Sequence, residues 1–174
     1  MQFAKDSFFL ALQERLAGLS PERTVTVNGT MVPAVVVVEN MLPTSAEPRP
    51  NTFYIEWGEA DVVQGHAGSA PLMSLDVVIS YYTMGSVPSM VDRGRMLAQL
   101  DRELLSICQP PNTGKRDYTQ SPSAELGTNV FWGQPSLAER VKGGVTEAGE
   151  RHQDARVERK ARLTMYFFPE VILV

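Results

Sequence analysis

The stretch "LMSLDVVISYYTMG" from Leu72 to Gly85 constrains this chain more than any other. Met73, Leu75, Val77, Ile79 and Tyr81 alternate with Ser74, Asp76 and Ser80, the period-two pattern of a strand with one core face and one partly wet face. Near the other end, "ARVERKARLTMYFF" from Ala155 to Phe168 has the same character. Val157, Ala161, Leu163, Met165 and Phe167 fall on one side, and Arg156, Glu158, Lys160, Arg162, Thr164 and Tyr166 fall on the other. A strand rises about 3.3 Å per residue and usually has about five or six residues, so both runs exceed what a small fold needs. A sheet that must reach or face a neighbouring subunit gives a reason for that length.

The rest of the chain supplies the partners for these strands. Phe8, Leu12, Leu16 and Leu19 recur at spacings of three and four, with Gln13, Glu14 and Arg15 opposite, which predicts an amphipathic helix over Phe3 to Ala17 ended by Gly18. In "TVTVNGTMVPAVVVV", Asn28 and Gly29 predict a two-residue hairpin turn, and Pro33 marks an edge or bulge because it cannot donate to a ladder. Thr52 to Val63 reads as a strand bulged at Gly58. Ser89 to Cys108 reads as a second helix, with Leu97, Leu100, Leu104 and Ile107 in one stripe and Ser89 and Asp92 resembling a capping box. From Gln109 to Asp154 prolines, glycines and charges replace any regular pattern, apart from a short strand at "NVFWG". The expected fold class is α+β, one domain over residues 1–174. It has a mainly antiparallel sheet, two helices packed on one face, and residues 109–154 as a long irregular excursion before the last strand.

Composition narrows the function. Twenty acidic against sixteen basic residues give a net charge of -4, contrary to a protein whose main work is coating phosphate backbones. One cysteine, Cys108, allows neither an internal disulfide nor a multi-cysteine zinc site within one chain. The N-terminal residues carry charges among apolar ones, and the longest apolar run is "AVVVV", so neither a secretion signal nor a membrane span is expected.

A search for chemistry finds little. His66 and His152 lie in glycine-rich or charged loops and read as exposed. Of Glu56, Glu59 and Asp61, strict alternation places Glu59 and Asp61 on one face and Glu56 on the other, a solvated edge in preference to a hydrolytic carboxylate pair. Cys108 ends an apolar stripe and reads as a buried inert thiol. No metal-binding, phosphate-cradling or nucleophile motif is present. The candidate contact residues are Asp76 and Tyr82 on the first long strand, Arg156, Lys160 and Arg162 on the last, and Arg140, Lys142 and Arg151 with Lys115 and Arg116 in the excursion. Arg156, Lys160 and Arg162 are the expected neighbours of Ser74, Asp76, Ser80 and Tyr82 across the wet face.

The helix "SFFLALQERLAGL", the strand "VPAVVVVEN", the strand "LMSLDVVISYYTMG", the helix "VPSMVDRGRMLAQLDRELLSI" and the closing strand "ARLTMYFFPEV" come in an order that resembles the tail terminator proteins of long-tailed bacteriophages. The resemblance implies a subunit of a hexameric ring that caps the tail tube, ends its polymerisation and offers a surface to the neck or head connector. It implies a virion protein made in the host cytoplasm, non-enzymatic and with no cofactor. The implied partners are copies of itself, the tube protein below and the connector above, with DNA passing through unread and no membrane. Related head-to-tail adaptors and tube-forming proteins share the pattern. The alternative from another class is a small hydrolase built on Glu59 and Asp61. Residue roles do not transfer to the excursion, which is longer than in simple family members.

Overall fold

Each apolar repeat in the sequence corresponds to one packed face. A computed structural model describes residues 1–41, 47–65, 70–85, 92–138 and 157–170. Helix α1 (Gln2–Leu19) buries Phe8, Leu12 and Leu16, while Leu19 remains half exposed past the edge of the core. Asn28 and Gly29 take φ of 48° and 81°, the left-handed angles that let β1 (Thr24–Val27) fold back on β2 (Thr30–Pro33). Pro33 ends that hairpin. The valines after it form β3 (Val35–Val37), which leaves the hairpin and pairs in parallel with β4 (Phe53–Gln64). One apolar run therefore serves two sheets, with the short helix α2 (Val38–Met41) after it.

The two long strands of the sequence are direct neighbours. β5 (Leu72–Thr83) and β9 (Val157–Phe167) pair antiparallel without a break, from Met73 opposite Phe167 to Thr83 opposite Val157. Between them in the chain come α3 (Asp92–Ile107), β6 (Asn112–Asp117), β7 (Ala124–Trp132) and β8 (Ser136–Leu137). The main sheet runs β3-β4-β5-β9-β7-β6, with β8 against β9, and only the β3–β4 pair is parallel. The fold is α+β, and α1 and α3 bury Phe8, Leu12, Leu97, Leu100 and Leu104 in one core against Leu75, Val77, Ile79, Ala161 and Met165. Ser89, offered as a cap, lies outside the described residues.

The first part of the excursion is more regular than its sequence suggests. It holds the β6–β7 hairpin and β8, where a single short strand was expected. Its alternation is hidden because inward positions carry Lys115 and Asp117. Lys115 is buried, with Nζ donating to the Phe168 carbonyl at 2.7 Å. Asp117 accepts from the amide and hydroxyl of Thr119 and from Gln120 Nε2. Polar groups that are satisfied locally occupy core positions without an apolar signal.

Helix α1 also joins the two ends of the sheet. Gln13 Nε2 donates to the Val35 carbonyl on β3 at 2.9 Å, and the Arg116 amide on β6 donates to Ser7 Oγ at 2.9 Å. β3 and β6 are opposite edges of the sheet order, so the sheet curls far enough for both to meet one helix. Arg15, assigned by periodicity to the polar side, sits over the Trp132 ring at 5.3 Å and donates to three carbonyls: Ile107 at 3.0 Å, Pro110 at 2.8 Å and Asn112 at 2.8 Å. These groups belong to the end of α3, the connection after it and the start of β6. A cation there satisfies carbonyls that the end of a helix leaves without partners. Phe8 completes the joint, edge-on to Trp132 at 5.0 Å and to Trp57 at 6.1 Å.

Replacing Arg15 by Ala is expected to lower stability by about 2–4 kcal/mol, since it leaves several carbonyls unpaired at once. Urea denaturation checks this. Arg15→Lys is expected to recover only part of the loss, because one ammonium does not reproduce the fork of a guanidinium.

Candidate functional site

The helices occupy the side of the sheet that carries Leu75, Val77 and Ile79, and among the described residues no helix covers the opposite side. Register arranges that side in rows. Asn112, Phe131, Tyr166, Ser74 and Asp61 stand abreast across five strands. Next come Thr164 and Asp76, then Arg162, Val78 and Glu56, then Lys160, Ser80 and Tyr54, and last Glu158 and Tyr82.

The described candidates on the two long strands, Asp76, Tyr82, Lys160 and Arg162, all lie on this face, in different settings. Asp76 is exposed and accepts a hydrogen bond from Thr164 Oγ1 at 3.1 Å. Arg162 is exposed one row away. Together with Gly58, Glu59, Asp76 and Thr164 it lines an open depression of about 460 Å³. Lys160 is exposed opposite Ser80. Among the described residues neither Lys160 nor Arg162 has a carboxylate partner. Tyr82 is instead covered by its own chain: its hydroxyl donates to the Pro48 carbonyl at 2.6 Å, and the Asn51 amide donates to its carbonyl at 2.8 Å. Arg140, Lys142, Arg151 and Arg156 lie outside the described residues, as do His66 and His152. Of the other excursion cations, Lys115 is buried as above and Arg116 pairs with Glu125 at 2.7 Å.

The predicted bulge changes how the carboxylates are distributed. Trp57 pairs with Val77 and Ala60 with Leu75, so Gly58 and Glu59 together oppose the single residue Asp76. The extra residue shifts the alternation by one. Glu56 and Asp61, five apart, therefore share the open face, and Glu59 lines the same depression. Gly58 suits this position, because a Cβ would stand 3.1 Å from Asp76 Cβ and 3.2 Å from its carbonyl oxygen, contacts that ease only if Asp76 shifts by a few tenths of an ångström. All four carboxylates are exposed, a setting without the shelter that acid–base chemistry uses.

Among the described residues, the same strand has an unpaired edge over Gly58–Val63. β3 covers only Phe53, Tyr54 and Ile55 of β4. Beyond the bulge every residue from Gly58 to Val63 is exposed, including Val62 at 62% and Val63 at 53%. Among the described residues none makes a hydrogen bond to the outer side of this segment.

No family model matches the chain, and no curated protein matches it. Among the described residues, no cluster of His, Cys, Asp or Glu is placed to hold a metal ion, and no helix is long and apolar enough to cross a membrane.

Arg159 was missed by the sequence reading, although strict alternation from Val157 to Ala161 places it inward. Its Nη2 lies 2.8 Å from Asp101 Oδ2 on α3, and the Tyr81 hydroxyl donates to Asp101 Oδ1 at 2.6 Å. Burial, followed by the hydrogen bond to Asp101, pushes the Tyr81 hydroxyl above its ordinary range. This cation ties β9 to α3 and is not part of the open face.

Cys108 is fully buried, and burial pushes its thiol from 9.0 up to about 12. Between those values the unfolded thiol loses its proton while the folded one keeps it. The native state then binds more protons, and its stability falls as pH rises from about 9 to about 12, by at most ~1.4 kcal/mol per pH unit. Urea midpoints at about pH 8 and about pH 10.5 are expected to drop less for Cys108→Ala than for the natural chain. Equal drops would acquit the thiol.

Proposed function

We propose that this chain is a non-enzymatic virion assembly subunit that forms a ring capping a phage tail tube, ends tube growth and presents a surface to the neck or head connector. The reading rests on the resemblance in element order. The single structural observation that supports it best is a long sheet whose second face, among the described residues, is open around Asp76, Lys160 and Arg162 and carries cations and carboxylates that are not paired with each other. A monomeric protein has little use for such a surface, whereas a closed ring brings copies of it into contact. DNA passes through the ring without sequence readout, in keeping with the net charge of -4.

A head-to-tail adaptor or a tube-forming protein of the same lineage would use the same surface, and the form of the assembly separates these readings. Electron microscopy of the purified protein is expected to show closed rings with a central hole. Open-ended tubes would favour the tube reading, and a strict monomer in the presence of tube subunits would defeat all three.

Charge reversal tests the face itself. Arg162→Glu and Asp76→Arg are each expected to shift the protein toward monomer in analytical ultracentrifugation, and the double variant to recover assembly, while stability changes by no more than about 0.5 kcal/mol. Unaltered assembly in both single variants would place the ring contacts elsewhere.

A further inference from the structure

We propose that the outer edge of β4 from Gly58 to Val63 is a docking site for one extended, cationic segment of a different protein, which adds to the sheet as an extra strand. This deepens the assembly reading by naming what one of its surfaces receives.

The segment meets the requirements for strand addition. A strand paired on one side only directs about half of its backbone N–H and C=O groups outward, ready to be matched by an incoming chain. Here those groups have no partner among the described residues, and the side chains on both faces of the segment are exposed. The exposed Val62 and Val63 give an incoming strand apolar contact that a solvated edge has no need of.

Charge decides what fits. β4 contains Glu56, Glu59 and Asp61 and no lysine or arginine, and Asp76 stands beside the bulge. Opposite charges on paired strands stabilise by about 0.2–1 kcal/mol per pair and like charges destabilise. Two copies of this edge laid antiparallel would set acid against acid. An incoming strand with lysine or arginine at alternate positions would meet a carboxylate on each side of the bulge.

The same sheet order argues for a different protein. In a second copy, the β9 cations Lys160 and Arg162 sit where the strand is held on both sides, by β5 and by Ala138 and Ser136, so they offer no free edge. On β6, Lys115 is buried against Phe168, Arg116 is paired with Glu125, and the outward Asn112 carbonyl and Arg116 amide are taken by Arg15 and Ser7 of α1. Among the described residues no cationic strand with a free edge is available for self-pairing.

Backbone hydrogen exchange of the full chain tests this with three synthetic ten-residue peptides. One alternates valine and lysine, one alternates valine and glutamate, and one is the lysine peptide N-methylated along one edge. At a peptide concentration about ten times its Kd, the lysine peptide is expected to slow exchange within Gly58–Val63 about tenfold, and less at high salt. The other two are expected to leave it unchanged. The triple variant E56K/E59K/D61K, exposed at all three positions, is expected to reverse the preference toward the glutamate peptide. No slowing by the lysine peptide, or equal slowing by its N-methylated form, would overturn the proposal. Slowing that follows the concentration of the protein alone would show a second copy on the edge and also overturn it. Peptide protection in a protein that never forms rings would sustain the docking site and remove the ring reading. Rings formed by a protein whose edge ignores the peptide would do the reverse.

Discussion

The fold depends on one guanidinium. Arg15 gathers carbonyls from the end of α3, from the connection that follows and from β6, and lies over Trp132 while doing so. Without it the chain between α3 and β6 would turn with its carbonyls facing a partly buried space, an arrangement that costs more than a surface ion pair returns. Because Arg15 is on α1, and α1 also holds β3 through Gln13 and β6 through Ser7, the first helix sets the curl of the sheet as well as covering it. The open face is consequently a fixed surface, since its curvature follows from α1 packed on the other side.

The second constraint is a single inserted residue. At Gly58 and Glu59 the bulge re-phases β4, so three carboxylates that strict alternation would divide are gathered on one face. The same bulge brings Gly58 against Asp76, where an added Cβ would be crowded to 3.1 Å. A change of one residue in register thus determines the electrostatic character of a whole sheet face.

Much of this was legible in the sequence, for identifiable reasons. The period of β5 and β9, the stripe of α3, the Asn-Gly turn and the bulge at Gly58 each follow from a local rule that tertiary packing did not override. What stayed hidden depended on partners distant in sequence. Arg15 reads as a solvated helix residue until α3 arrives, and Lys115 and Asp117 conceal a hairpin because their hydrogen bonds let polar groups occupy core positions. Tyr82 reads as a surface aromatic until the chain near Pro48 covers it. Arg159 was legible but overlooked, being a charged residue at an inward place in an otherwise clean alternation.

The helix that bridges β3 and β6 has a consequence for how contacts multiply. Fibres and open sheets grow when a surface offers two complementary edges, one that receives and one that is received. Here α1 occupies backbone groups on both terminal strands of the sheet order, and among the described residues nothing hydrogen-bonds to the outer side of Gly58–Val63 on β4. Under the proposed docking, a strand joined there would find the far end of the sheet, at Asn112 and Arg116 of β6, already held by α1. Pairing the β6 of one subunit with the β4 of the next would then have to break contacts to α1, which works against unlimited sheet growth.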